Sequence, residues 1–280
     1  MYDIKLTIQD DSIDYQKILF ERPISRLHAK HIGVIASRDI KISKLNNIYQ
    51  IINDFKHQIH VIAEPEIKQL GIPADLFLSS PNKKSVAYSN SDAAIEILSN
   101  CNLSILGIGF DQNSKMQLLF EEIFKSTHSA LVIYPKCLDM LKTSGEMFDS
   151  REGDILLCNN DSINKLIKHL GLDMYSHAGS SITKTAEILT VVANKIRGNI
   201  VFFQKDQILL SIYNAPGSIG VINLDNKSLS IPSEIFVAIF TSLLCDIPDI
   251  QRDIMLRFLT TGYLLKKYLN DYSNFKNALK

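Results

Sequence analysis

At 280 residues, with 46% hydrophobic and 21% charged side chains, the chain can build a large core and lacks the composition of a disordered protein. Thirty basic residues balance thirty acidic ones, which removes the field that a nucleic-acid or anionic-membrane surface would need. Cys101, Cys137, Cys158 and Cys245 lie far apart beside apolar runs and read as buried free thiols of a reducing compartment, not as a disulfide framework.

The N-terminus, Met1-Tyr2-Asp3-Ile4-Lys5, has neither the apolar core nor the cleavage site of a signal peptide. The longest apolar stretch, Ile235 to Cys245, is about half of the ~20 residues a bilayer span needs. A soluble, cytoplasmic protein is expected.

Runs rich in branched residues recur along the chain, at 32–36, 59–63, 103–107, 130–134, 154–157, 199–203 and 208–212. Their alternation is weak and their polar residues sit at the ends, the pattern of strands buried on both faces. Helical spacing fills most of the intervals. Leu45, Ile48, Ile51, Ile52 and Phe55 form one face, and Ala94, Ile97 and Leu98 a second. Leu118, Leu119, Ile123 and Phe124 form a third, and Ile163, Leu166, Ile167 and Leu170 a fourth, closed by Gly171. Residues 220–224 read as a further strand, joined to 208–212 by the turn-rich Tyr213-Asn214-Ala215-Pro216-Gly217. From Ser233 helices dominate. Residues 234–245 are apolar all round and therefore buried, and 249 to about 272 form another helix. Alternating strands and helices predict an α/β fold of three α/β/α layers, with a mostly parallel sheet and one domain over residues 1–280.

Taken in order over about residues 22–265, these segments resemble the ADP/ATP-dependent NAD(P)H-hydrate dehydratases of the ribokinase-like superfamily. Arg22 to Ser37, the helix to Phe55 and the turn Glu64-Pro65-Glu66 follow the layout of that family's opening. Lys56-His57-Gln58 stands where the family has Gly-Ala-Gly. Gly107-Ile108-Gly109-Phe110-Asp111 is similar to its Gly-Pro-Gly-Leu-Gly loop. Tyr134-Pro135-Lys136-Cys137-Leu138 replaces an Asp-Ala-Asp-Ala-Leu motif and loses both carboxylates. Asn159 and Ser162 stand for the His and Glu of Thr-Pro-His-Pro-Gly-Glu, and Gln204-Lys205 for a Lys-Gly pair. Ile231-Pro232-Ser233-Glu234 takes the place of the phosphate-binding Gly-Thr-Gly-Asp. Late in the chain, Thr261-Gly262 is similar to a His-Gly pair and is expected to serve close helix packing.

The resemblance implies a parent reaction in which ADP or ATP with Mg²⁺ phosphorylates the hydroxyl of hydrated NADH or NADPH, and elimination restores the nicotinamide. It also implies homo-oligomers. In this chain Glu234 takes the position of the catalytic Asp, one methylene longer. Gly107, Gly109, Asn159, Lys205 and Ser233 take the nucleotide- and phosphate-binding positions. Four motifs have lost their reacting groups while the flanking apolar residues remain. The expectation is therefore a divergent, non-catalytic relative that binds a nucleotide or other small molecule, or that serves in assembly. The alternative is an active dehydratase, or a related small-molecule kinase, with Glu234 as base. Each residue also has a structural reading: Glu234 favoured by the helix dipole, Lys205 solvated at a strand end, and the Gly-x-Gly a tight turn. His57 and His60 form an H-x-x-H whose second member begins a strand, so no metal site is expected. His28 and His31 precede the first of these strands, where a ligand contact is conceivable.

Overall fold

Branched, weakly alternating runs become strands when helices can cover both of their faces, and the core follows from that arrangement. The computed structural model describes residues 2–10, 15–20, 29–71, 73–80, 87–109, 114–138, 151–204, 206–224, 233–246 and 250–279. In chain order these contain β1 (Lys5–Ile8), α1 (Tyr15–Phe20), β2 (His31–Ala36), α2 (Ile42–Asp54), β3 (Gln58–Ala63), β4 (Leu76–Phe77) and α3 (Ser91–Ser99). Then come β5 (Leu103–Ile108), α4 (Ser114–Ser126), β6 (Ala130–Ile133), α5 (Pro135–Leu138), β7 (Ile155–Cys158), α6 (Asn160–His169) and α7 (Ile182–Ile196). The last are β8 (Asn199–Gln204), β9 (Gln207–Ser211), β10 (Ser218–Asn223), α8 (Ser233–Leu244), α9 (Ile250–Asn270) and α10 (Tyr272–Ala278).

One ten-stranded sheet has the order β1-β10-β9-β8-β7-β6-β5-β2-β3-β4. Neighbouring strands are parallel except for β9, which runs antiparallel to β8 and β10. The expected pairing across residues 213–217 is therefore present. Helices α2, α8 and α9 bury their apolar residues in a cluster on one face, and α3, α4, α6 and α7 do so on the other. From Glu234 to Leu244 every residue of α8 is buried, as its all-round apolar pattern requires.

Six elements had no counterpart in the sequence pattern: β1, β4, α1, α5, α7 and α10. All four residues of β1 are exposed and so carry no buried-run signature. β4 is only two residues long. α7 buries Ala186, Leu189, Val192 and Ala193 at helical spacing and is capped by Ser181, whose side chain accepts from Lys184 N.

The sheet's order reverses between β2 and β5, because the chain builds outward from β2 to β3 and β4 on one side and from β5 to β8 on the other. The carboxyl ends of strands at such a reversal are where open α/β sheets hold ligands.

Candidate functional site

At the reversal, the loops leaving β2 and β5 close on each other. Ser37 N donates to Ile108 O at 3.2 Å. Gly109, at φ +68°, lies so near Ile40 that a Cβ would collide with that residue's backbone. Gly107, at φ +93°, leaves no room for a Cβ beside Cys137 Sγ. Both glycines are needed for their left-handed backbone and close packing; Gly107 is buried and Gly109 partly buried.

Beside this closure, Glu64 leaves the end of β3 and turns into the protein, with 4% of its surface exposed. Its Oε2 accepts from Ser37 Oγ and, at 2.9 Å, from Arg38 N. Its Oε1 accepts from Tyr88 Oη at 2.6 Å. Burial, and then the hydrogen bond to Glu64, push the Tyr88 phenol well above its ordinary range. Lys115 Nζ lies 6.0 Å from the Tyr88 ring centroid and donates to Ser80 Oγ at 2.6 Å. The sequence singled out Glu64 only as part of a turn. A carboxylate directly after a buried strand was the available signal, while Tyr88 and Lys115 carried none.

The second group lies where α2 and α8 begin. Lys44 Nζ donates to Glu234 Oε2 at 3.1 Å, with the Glu234 side chain 11% exposed and that of Lys44 44% exposed. The Tyr134 hydroxyl at the end of β6 is buried and has no hydrogen-bond partner among the described residues. Burial raises its pKa strongly, and the negative charge of Glu234 adds to the rise. The same carboxylate, after burial and Asp54, raises Tyr268. Glu234 thus acts electrostatically on both phenols. Ser233 opens α8 and is partly buried.

Asn159 closes β7, but its side chain works on its own helix. Its Oδ1 accepts from Ser162 N at 2.9 Å, and its N–H donates to Ser162 Oγ at 2.8 Å, a reciprocal cap of α6. Lys205, His28, Ile231 and Pro232 lie outside the described residues. His57 and His60 do not converge. His57 is buried, accepts from Lys30 N at 3.4 Å through Nδ1 and contacts Ser242 O at 3.0 Å through Nε2. His60 Nε2 instead meets His31 Nδ1 at 2.8 Å. Among the described residues no three His, Cys, Asp or Glu side chains are grouped so as to hold a metal ion. Among the same residues no helix is long and apolar enough to cross a membrane.

Gly262 performs the packing expected of it: a Cβ there would lie 2.6 Å from Gln9 Oε1 and 2.7 Å from Ile222 Cγ1, so α9 sits directly on β10.

No family model and no curated protein matches the chain. Solved structures do. A ribokinase-like superfamily protein of Enterococcus faecalis V583 superposes with a TM-score of 0.66 at 10% identity, covering 100% of this chain and 94% of that one. A hypothetical protein of Streptococcus mutans superposes with a TM-score of 0.61 at 12% identity, over 93% and 91% of the respective chains. The fold is ribokinase-like.

Proposed function

We propose that this ribokinase-like chain binds a small anionic ligand of the nucleotide type at the carboxyl-end rim and transfers no phosphoryl group, acting as a non-catalytic binding or assembly component. The observation that carries this reading is the contact between Lys44 and Glu234. A general base must offer a carboxylate oxygen to a substrate hydroxyl, and an oxygen already bonded to an ammonium is a poorer acceptor for that proton. Misplacement adds to the cost, since a shift of ~1 Å in a catalytic group lowers a rate ~100-fold. The close packing of Gly107 and Gly109 against neighbouring residues and the self-engaged Asn159 point the same way. Lys44 and Lys115 lie along the rim where an anion would be attracted. A reducing, cytoplasmic setting belongs to the same proposal and is supported by four free, buried cysteines.

Isothermal titration of the whole chain with ADP, ATP and NADPH, each with and without Mg²⁺, tests the binding half. The reaction half is tested by supplying hydrated NADPH with ATP and Mg²⁺ and following the return of NADPH absorbance. Binding without turnover is the expected result. Return of absorbance would overturn the non-catalytic assignment, and absence of any binding would overturn the ligand.

A further inference from the structure

The two edges of the sheet are built differently. β4 is two residues long, a blunt edge of the kind proteins use to avoid strand addition. β1 is four residues long and exposed throughout, with Leu6 37% and Ile8 49% exposed. Its hydrogen bonds to β10 use Lys5 N, which donates to Gly217 O at 2.8 Å, and Gln9 N, which donates to Val221 O at 2.9 Å. Strand alternation therefore turns the N–H and C=O groups of Leu6 and Ile8 to the open side. The two residues of β1 that carry exposed apolar side chains are the same two whose outward backbone has no partner among the described residues. Ile4, on the same face, packs on the cluster formed by α3, α4, α6 and α7. Just before it, Tyr2 is 42% exposed and lines a groove of about 550 Å³ with Met174, Tyr175 and Ile188.

We propose that β1 is the contact between two copies of this chain, paired antiparallel about a two-fold axis at Thr7 so that the sheets join edge to edge. In this register Leu6 of one copy faces Ile8 of the other. Both are residues with outward N–H and C=O, so each facing pair exchanges two hydrogen bonds. The four side chains Leu6, Ile8 and their counterparts then form one apolar stripe on a single face. A one-residue slip would oppose Leu6 to Thr7 and send the apolar groups to opposite faces, which disfavours it. Lys5 faces Gln9, so no like charges meet. The contact is isologous, as a two-fold axis requires. A short strand pair alone buries less than the ~1,000 Å² of a durable interface, so the dimer forms in a concentration-dependent way.

Sedimentation velocity over micromolar to submillimolar protein is expected to show a monomer–dimer equilibrium. The double substitution Leu6→Lys with Ile8→Lys should leave the circular dichroism unchanged, because both side chains are exposed, and should reduce the association at least tenfold. Disulfide trapping reads the register. Thr7→Cys places two sulfurs on strands whose Cα atoms are about 4.5 Å apart, within the about 4.4–6.8 Å that a disulfide spans. It should cross-link on mild oxidation. Lys5→Cys should not, since its two copies lie roughly 14 Å apart along the strands. The four native cysteines are buried and do not compete. A monomer at every concentration, a dimer indifferent to the two lysines, or equal cross-linking of Lys5→Cys and Thr7→Cys overturns the proposal.

Discussion

Lys44 and Glu234, separated by 190 residues, meet at 3.1 Å at the starts of two adjacent helices. The helix dipole favours Glu234 in its first turn and opposes Lys44 in its own, so the pair offsets an unfavourable placement of the lysine. Because the Lys44 side chain is 44% exposed, solvent screens the attraction and the pair contributes ~0–1 kcal/mol. Lys44→Met is therefore expected to lower the free energy of unfolding by less than ~1 kcal/mol in urea denaturation. If the pair helps to hold an anion at the rim, the same variant weakens nucleotide binding by more than it weakens the fold, and titration calorimetry reads the difference.

Lys56 adopts φ +63° between α2 and β3, at a position where the resembling family has a glycine. A side chain in the left-handed region costs ~1–2 kcal/mol, whereas glycine pays ~0.5–1 kcal/mol in chain entropy on folding. The first quantity is the larger. Lys56→Gly should therefore stabilise the protein, by up to ~1 kcal/mol, seen as a higher urea midpoint at unchanged slope. A lower midpoint would mean that the lysine side chain contributes more than its backbone costs.

His31 and His60 meet edge to edge with nearly parallel rings and centroids 5.1 Å apart, with His31 Nδ1 2.8 Å from His60 Nε2, and His60 Nδ1 reaches Asp75 Oδ1 at 3.3 Å. One proton can sit between the two facing nitrogens. A second would set two N–H groups against each other. Burial, followed by the charge of His60, lowers the pKa of His31 below its ordinary 6.5. The folded state thus binds this proton less tightly than the unfolded chain does. The penalty is absent at pH 7.5 and grows as the pH falls through 6.5 toward the folded value. Both rings are partly exposed, so the loss stays below about 1 kcal/mol. Urea midpoints measured from pH 7.5 to 5.5 should fall in the parent protein and fall less in His60→Gln, which removes the neighbouring imidazole.

The layered architecture was legible because burial on both faces of a strand writes itself as an uninterrupted apolar run, and burial on one face of a helix as a periodic one. The runs at β2, β5, β6 and β8 and the face of α2 are of this kind. β1 escaped because an edge strand paired on one side has no buried run to show. The rim was legible in part. Its positions followed from the ends of the strands, so Glu234, Gly107, Gly109 and Asn159 do lie at strand ends or helix starts. What they touch did not follow. Glu234 finds Lys44 through the packing of α2 on α8, and Glu64 finds Tyr88 across a loop, and neither contact leaves a trace in local sequence.

Asn159 separates a structural from a ligand-binding account of the rim with a single substitution. Its cap on α6 uses Oδ1 for Ser162 N and the backbone N–H for Ser162 Oγ. Replacing an Asn cap by Ala costs ~0.5–2 kcal/mol, and replacing it by Ser or Asp restores most of that. Asn159→Ala is therefore expected to lower the urea midpoint, with Asn159→Asp returning close to the parent value. An Asp in the same place adds a negative charge at the rim. If a bound nucleotide places a phosphate near β7, Asn159→Asp keeps the parent stability yet binds ATP at least tenfold more weakly. If stability and affinity both return with Asp, the residue caps α6 and nothing more.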